Sequence, residues 1–140
     1  MKVDVIIPTY KPGKEFEELI CRLQKQTYPI HRIIIINTQT GVFPTELESE
    51  PYQIEVTHIR PEDFDHGGTR NMGASISYAD IVLYMTQDAV PADEHLIEKF
   101  ANVFEMHPEL GIAYGRQLPK NDCNIIERFT RRFNYPEKSR

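Results

Sequence analysis

Four isoleucines in a row, Ile33-Ile34-Ile35-Ile36, limit what this chain can become. β-Branched side chains are stiff at χ1 and fit a pleated strand better than a helix. Four apolar residues without alternation fill both faces of that strand. Strands covered on both faces belong to parallel sheets held between layers of helices. The run from Arg32 to Asn37 is therefore expected to be a central strand.

The flanking segments agree. Val3-Asp4-Val5-Ile6-Ile7 reads as a first strand, ended by Pro8, Pro12 and Gly13. Residues 14–26 carry Phe16, Leu19, Ile20 and Leu23 at helical spacing. Residues 38–50 are a polar loop with a helical turn over 45–48, and residues 54–59 alternate like a strand at a sheet edge. A helix is predicted over 69–77. Ile81-Val82-Leu83-Tyr84-Met85 then reads as a strand buried on both faces, leading into Thr86-Gln87-Asp88. A longer helix is predicted over 93–106, starting at Asp93, a short strand over 111–115 and an amphipathic helix over 125–133. Alternating strands and helices give a three-layer α/β/α architecture with a mostly parallel sheet.

Composition excludes several classes. Net charge is −5, which removes nucleic-acid binding by bulk electrostatics. An anionic ligand must rely on local features: an Arg, a helix N-terminus or a cation. Cys21 and Cys123 match no zinc spacing, and Cys21, in an apolar helical pattern, is expected to be a reduced core thiol. With no signal-peptide pattern at the start and no apolar run of spanning length, a cytoplasmic location is expected.

In a parallel sheet the C-terminal strand ends lie together, and ligands bind there. Pro8-Thr9-Tyr10, Asn37-Thr38 and Thr86-Gln87-Asp88 should therefore converge. A fourth segment, His66-Gly67-Gly68-Thr69-Arg70-Asn71, opens a helix. Its glycines allow close backbone approach, the helix N-terminus suits an anion, and Arg70 offers a planar donor fork. Asp88 opposite a phosphate makes sense with a divalent cation between them. Each piece also has a plain reading: Asp88 as a helix cap, Gly67-Gly68 as a turn, Arg70 in a surface ion pair, Tyr10 as packing, His95 as surface. Asp63, Asp65 and His66 read as solvated loop residues, or as part of a metal hydrolase that no strong motif supports.

Taken in order, four stretches resemble the donor-binding half of a family 2 glycosyltransferase with the GT-A fold. They are Val5-Ile6-Ile7-Pro8-Thr9-Tyr10, residues 33–37, the stretch from His66 to Ala74, and Leu83-Tyr84-Met85-Thr86-Gln87-Asp88-Ala89. The Asp-Phe-Asp-His-Gly-Gly-Thr-Arg-Asn form joined to Thr-Gln-Asp-Ala is similar to the rhamnosyltransferase-like branch. The resemblance implies an inverting enzyme that binds a nucleoside diphosphate sugar with Mg2+ or Mn2+. It would transfer the sugar to a hydroxyl of a glycan or lipid-linked acceptor in cell-surface polysaccharide synthesis, with dTDP-rhamnose as a candidate donor. By motif position, Pro8, Thr9 and Tyr10 border the nucleoside and Asn37 stands where an Asp usually meets the base. Gly68, Arg70 and Asn71 lie near the base or diphosphate, with Gln87 beside Asp88, the metal ligand.

Two departures stand out. Asn37 lacks the usual charge, and Thr86-Gln87-Asp88 keeps one carboxylate of the usual Asp-x-Asp. The resemblance also divides the chain, with residues 1–119 as the donor core and 120–140 as an incomplete start of the acceptor side. An inverting reaction needs a carboxylate base. That base is expected outside this chain, Asp122 and Glu127 having no support. The chain is accordingly expected to be part of a longer protein and to transfer little alone, with peripheral membrane contact through a C-terminal part. Phe129, Phe133 and Tyr135 would then be uncovered. Two other classes remain: a non-catalytic nucleotide- or metal-binding α/β module, and a receiver-like domain, which lacks its acidic pair after the first strand.

Overall fold

A computed structural model describes residues 1–48, 53–119 and 123–136. They fall into two compact units, Met1–Pro108 and Glu109–Arg140. The first holds a four-stranded parallel sheet: β1 (Val3–Tyr10), β2 (Arg32–Thr38), β3 (Ile54–Ile59) and β4 (Ile81–Tyr84), in the order β3-β2-β1-β4. The isoleucine run is buried on both faces, as its sequence predicts, and the strand order makes it an interior strand. Ile33 and Ile35 join Val3, Val5 and Ile7 on one face, beneath α1 (Lys14–Gln24) and α3 (Leu96–Met106). Ile34 and Ile36 join Ile6 and Ile59 on the other, beneath Ala74 and Ile76 of α2 (His66–Ile76). The three layers are those expected.

Several boundaries differ from the sequence reading. β4 is an edge strand, not one buried on both faces: Val82 and Leu83 are half-buried and Tyr84 is exposed. β3 is the other edge, as its alternation predicts. β1 runs through Pro8 to Tyr10. Met85 N–H donates to the Ile6 carbonyl at 3.0 Å, so the β4-facing side of β1 carries Ile6, Pro8 and Tyr10. β4 has ended by then, so the missing N–H of Pro8 costs no rung. α3 starts at Leu96 because Asp93 turns back instead, accepting from His95 N–H at 2.9 Å and pairing with Lys99 at 2.7 Å. Cys21 is a free thiol on α1, half-buried rather than in the core.

At the N-terminal end of the sheet, Asp4 is fully buried and polar. It takes hydrogen bonds from Arg32 at 3.0 Å and Ser77 at 2.7 Å, and meets His31 Nδ1 at 2.8 Å. Arg32 also donates to the Ile76 carbonyl at 2.9 Å. This knot ties β1, β2 and the C-terminal end of α2 together at the end of the sheet away from Asp88.

In the second unit, residues 111–115 form no strand among the described residues. With no strand in this unit among the described residues, their apolar alternation has no ladder to join there. α4 (Ile125–Asn134) is the expected amphipathic helix, capped by Asn124. Asp122 lies outside the described residues. No helix among the described residues is long and apolar enough to cross a membrane.

Candidate functional site

The order β3-β2-β1-β4 reverses direction at β1, since β2 lies on one side and β4 on the other. The crevice beyond the C-terminal ends of β1 and β4 is thus a topological switch point. Gln87 occupies it in a specific way. Its side-chain oxygen accepts from Tyr10 N–H at 2.8 Å and its amide N–H donates to the Tyr10 carbonyl at 3.0 Å. The side chain supplies the rung that β4, ending at Tyr84, no longer offers. Both ends of the amide are then used, so Gln87 fixes the lip of the crevice and carries the next residue, Asp88, with it.

Asp88 is exposed and has no hydrogen-bond or ion-pair partner among the described residues. It is therefore not the helix cap that was its plain reading. Arg70 donates to the His66 carbonyl at 2.8 Å and pairs with no carboxylate among the described residues. Tyr84, at the end of β4, reaches the Arg70 carbonyl at 3.5 Å, placing Arg70 beside the same strand end. Asn71 follows on the exposed surface of α2, and Tyr10 is also exposed. The Arg70 backbone is thus within reach of the Tyr84 side chain, while its guanidinium turns back to His66, and Asp88 follows β4 four residues beyond Tyr84.

The glycine loop behaves differently from its sequence reading. α2 begins at His66, not Thr69, so Gly67 and Gly68 lie in its first turn. Asp65 is the N-cap: its Oδ1 accepts from Gly68 N–H, and its carbonyl accepts from Thr69 N–H at 2.8 Å. The Gly68 amide is not open to a phosphate, because a carboxylate already holds it. Replacing Asp65 by Ala should cost about 1 kcal/mol, the usual value of such a cap. A urea titration reads that loss. Arg60 is likewise committed, to Asp63 at 2.8 Å and Glu62 at 3.3 Å. The hydrogen bond from Arg60 holds the Asp63 carboxyl below the usual carboxylate range.

Asn37 and Thr9 are buried. Thr9 hydroxyl lies 2.9 Å from Asn37 Oδ1, Asn37 Nδ2 lies 3.0 Å from His58 Nδ1, and His58 Nε2 lies 3.1 Å from Glu48. Thr9, Asn37 and His58 are register partners on β1, β2 and β3, so the row runs straight across three strands. Sequence reasoning gave His58 and Glu48 no role. At the end of β2 the buried Thr38 hydroxyl has no partner among the described residues, the kind of orphan a ligand satisfies. Two clefts lie elsewhere, one of about 330 Å3 lined by Leu23, Tyr28 and Ile33, the other of about 800 Å3 between α1 and residues 41–47. Neither includes Asp88 or Arg70.

The model of glycosyl transferase family 2 matches residues 4–140. The chain belongs to that family. It is 34% identical over 140 residues to the O-antigen chain rhamnosyltransferase RfbN of Salmonella typhimurium, covering 99% of this chain and 44% of that protein. It is also 34% identical to the O-antigen chain rhamnosyltransferase WbaN of Salmonella anatum, covering 94% of this chain and 42% of the other. This family 2 chain thus spans less than half the length of the curated relatives it matches. Among solved structures, S. aureus TarS 1-349 superposes with a TM-score of 0.68 at 19% identity, covering 86% of this chain and 39% of TarS. The same protein in complex with UDP-GlcNAc gives 0.62. The shared fold is the GT-A type expected from the motifs.

The metal that the family implies can be tested against the donor set. Among the described residues no group of three or more His, Cys, Asp or Glu side chains gathers in a metal-binding cluster. Asp88 alone cannot cage a cation. One free carboxylate does suit Mg2+, which binds through one or two carboxylates and substrate phosphates while keeping its waters. The residues fit a metal brought with a diphosphate, not a resident one.

Proposed function

We propose that the Met1–Pro108 unit is the donor site of an inverting glycosyltransferase and binds a nucleoside diphosphate sugar at the β1/β4 crevice. The observation that carries this reading is Asp88, an exposed carboxylate with no partner among the described residues, carried at the switch point by Gln87. Asp88 would hold Mg2+ or Mn2+ and Arg70 and Asn71 would face the diphosphate. Such an ion supplies charge neutralisation to the departing nucleoside diphosphate. Tyr10, exposed at the end of β1, would border the nucleoside, its backbone held by Gln87 and its strand floor formed by Pro8 and Thr9. Asn37 acts from below, within the buried row.

The sugar is rhamnose in this proposal, given as dTDP-rhamnose, and the acceptor a glycan hydroxyl, because both curated relatives are named as O-antigen chain rhamnosyltransferases. In this proposal the donor core runs on to residue 119, past the Met1–Pro108 unit, residues 120–140 begin the acceptor side, and contact with a lipid-linked acceptor at a membrane surface would fall to a C-terminal part outside this chain. A cytoplasmic location fits an enzyme that uses soluble sugar nucleotides. None of four carboxylates is put forward as general base: Asp63 pairs with Arg60, Asp65 caps α2, Glu127 pairs with Arg131 at 2.9 Å, and Asp88 is assigned to the metal. Donor binding, rather than transfer, is what these residues are equipped to do.

Calorimetry with dTDP and UDP, with and without Mn2+, tests the reading. Binding should require the metal, and Asp88→Ala should weaken it at least about tenfold, the loss of one charge-assisted contact. A second reading, a nucleotide module without metal chemistry, draws on the absence of a carboxylate cluster among the described residues. Metal-independent binding untouched by Asp88→Ala would favour it and defeat the first.

A further inference from the structure

The turn that ends β1 contains a strained residue. Among the described residues Lys11 is the one non-glycine residue with a positive φ, at 46°. In that left-handed region the Cβ of most residues crowds the following carbonyl oxygen, and glycine, asparagine or aspartate sits there with less strain. Lys11 also precedes Pro12, and a residue before proline is normally extended. The conformation is imposed from both sides. Tyr10 is held through its N–H and its carbonyl by the Gln87 side chain, and Pro12 is buried. Lys11 itself is exposed, so core packing does not call for a long side chain there. Backbone and packing would both be served by asparagine or glycine, and the reason for lysine lies in its charge.

That charge is matched by no carboxylate among the described residues. The Lys11 ammonium lies over the exposed ring of Tyr10 instead, with Nζ 5.3 Å from the centroid. The Gln87 amide staples Tyr10 to the chain beyond β4, so Lys11 and Asp88 are each the next residue after a stapled one. Both are exposed and they carry opposite charges, yet no ion pair joins them among the described residues. A cation and a carboxylate kept apart at one staple suit a ligand with both charges: a phosphate for the ammonium and a divalent cation for the carboxylate. We infer that Lys11 is a further donor-binding residue, whose ammonium leaves the Tyr10 ring and pairs with a phosphate oxygen of the nucleoside diphosphate. The inference rests on the donor-site reading. An exposed cation–π contact is weaker than a charge-assisted hydrogen bond, so a phosphate draws the ammonium off the ring. The same movement uncovers the Tyr10 face for the nucleoside. Arg70 already commits one donor to the His66 carbonyl, whereas the three N–H donors of Lys11 bind no oxygen among the described residues.

Calorimetry of the 140-residue chain with Mn2+ and whichever of dTDP and UDP the wild type binds more tightly is the test, run on wild type, Lys11→Asn and Lys11→Arg. Asparagine tolerates the left-handed turn and brings no charge, so Lys11→Asn should keep or raise the urea midpoint. It should bind the nucleotide about tenfold more weakly, the scale of one charge-assisted contact. Lys11→Arg keeps the charge and should stay within about threefold of wild type. The gap between wild type and Lys11→Asn should close as NaCl rises from about 0.05 M to about 1 M, where the screening length falls to about 3 Å. Metal-dependent binding that is equal in wild type and Lys11→Asn overturns the inference while leaving the donor site standing. A loss that Lys11→Arg does not restore, or that persists at about 1 M NaCl, also overturns it, since Lys11 would then act by shaping the turn. Metal-independent binding that falls in Lys11→Asn and returns in Lys11→Arg supports Lys11 and defeats the metal site. Absence of binding by either nucleotide overturns both.

Discussion

Asp4→Ala should cost about 3 kcal/mol of stability, the lower end of what breaking a buried ion pair costs. Asp4 is wholly inaccessible and serves Arg32, Ser77 and His31 at once. Removing it strands the guanidinium of Arg32, whose side chain is only 14% exposed. The second partner of Arg32, Glu55 at 2.8 Å, limits the damage, hence the lower end of the range. Burial pushes the Asp4 carboxyl up, but hydrogen bonds from Ser77, His31 and Arg32, with the Arg32 charge, outweigh it and hold the pKa below its ordinary value. A depressed folded pKa contributes stability above the unfolded value of about 3.9, lost as pH falls through the folded value. Urea titrations at descending pH should show this acid loss in wild type and lack that component in Asp4→Ala. A variant within about 0.5 kcal/mol of wild type, the size of an ordinary surface change, would mean that the knot is dispensable.

The elements legible in the sequence are those whose pattern is local. Four isoleucines announce a central strand, Phe16, Leu19, Ile20 and Leu23 announce α1, and the alternation of residues 54–59 announces an edge. β4 misled because a short apolar run looks the same at a sheet edge as at its centre; neighbours decide, and neighbours are not local. The glycine loop misled because Asp65 competes for the amide that a phosphate would need, and a cap next to two glycines reads equally well as a turn. Asp88 and Arg70 were legible as types and as strand-end positions. The Gln87 rung was not, since it depends on where β4 stops relative to β1. Nor was the row ending at Glu48, which exists only once β1, β2 and β3 are in register.

Gly73→Val should destabilise the chain by about 3 kcal/mol and weaken nucleotide binding, because the helix that carries Arg70 and Asn71 lies directly on β1. A Cβ at position 73 would stand 2.6 Å from Ile6 Cγ2 and 3.3 Å from its Cδ1. Ile6 is fully buried among Ile34, Ile36 and Ile59 and has no free space to retreat into. The helix must lift instead. Its C-terminal end is held by Arg32 on the Ile76 carbonyl, so the movement falls on the turn bearing Arg70. Gly73→Ala meets the same contact but gains about 1 kcal/mol of helix propensity, so it should lose less. Gly67→Ala is the internal control: its Cβ would find Asp65 Oδ1 at 3.6 Å, an ordinary contact, and the change should be neutral or stabilising. Pairing Gly73→Ala with Ile6→Ala should recover part of the loss, since the second change removes the atoms that the first one strikes. Denaturation of these four variants and of Ile6→Ala alone, with UDP and Mn2+ titrated into those that fold, reads both effects. Purely additive losses in the double variant would place the strain elsewhere than at the Ile6–Gly73 contact.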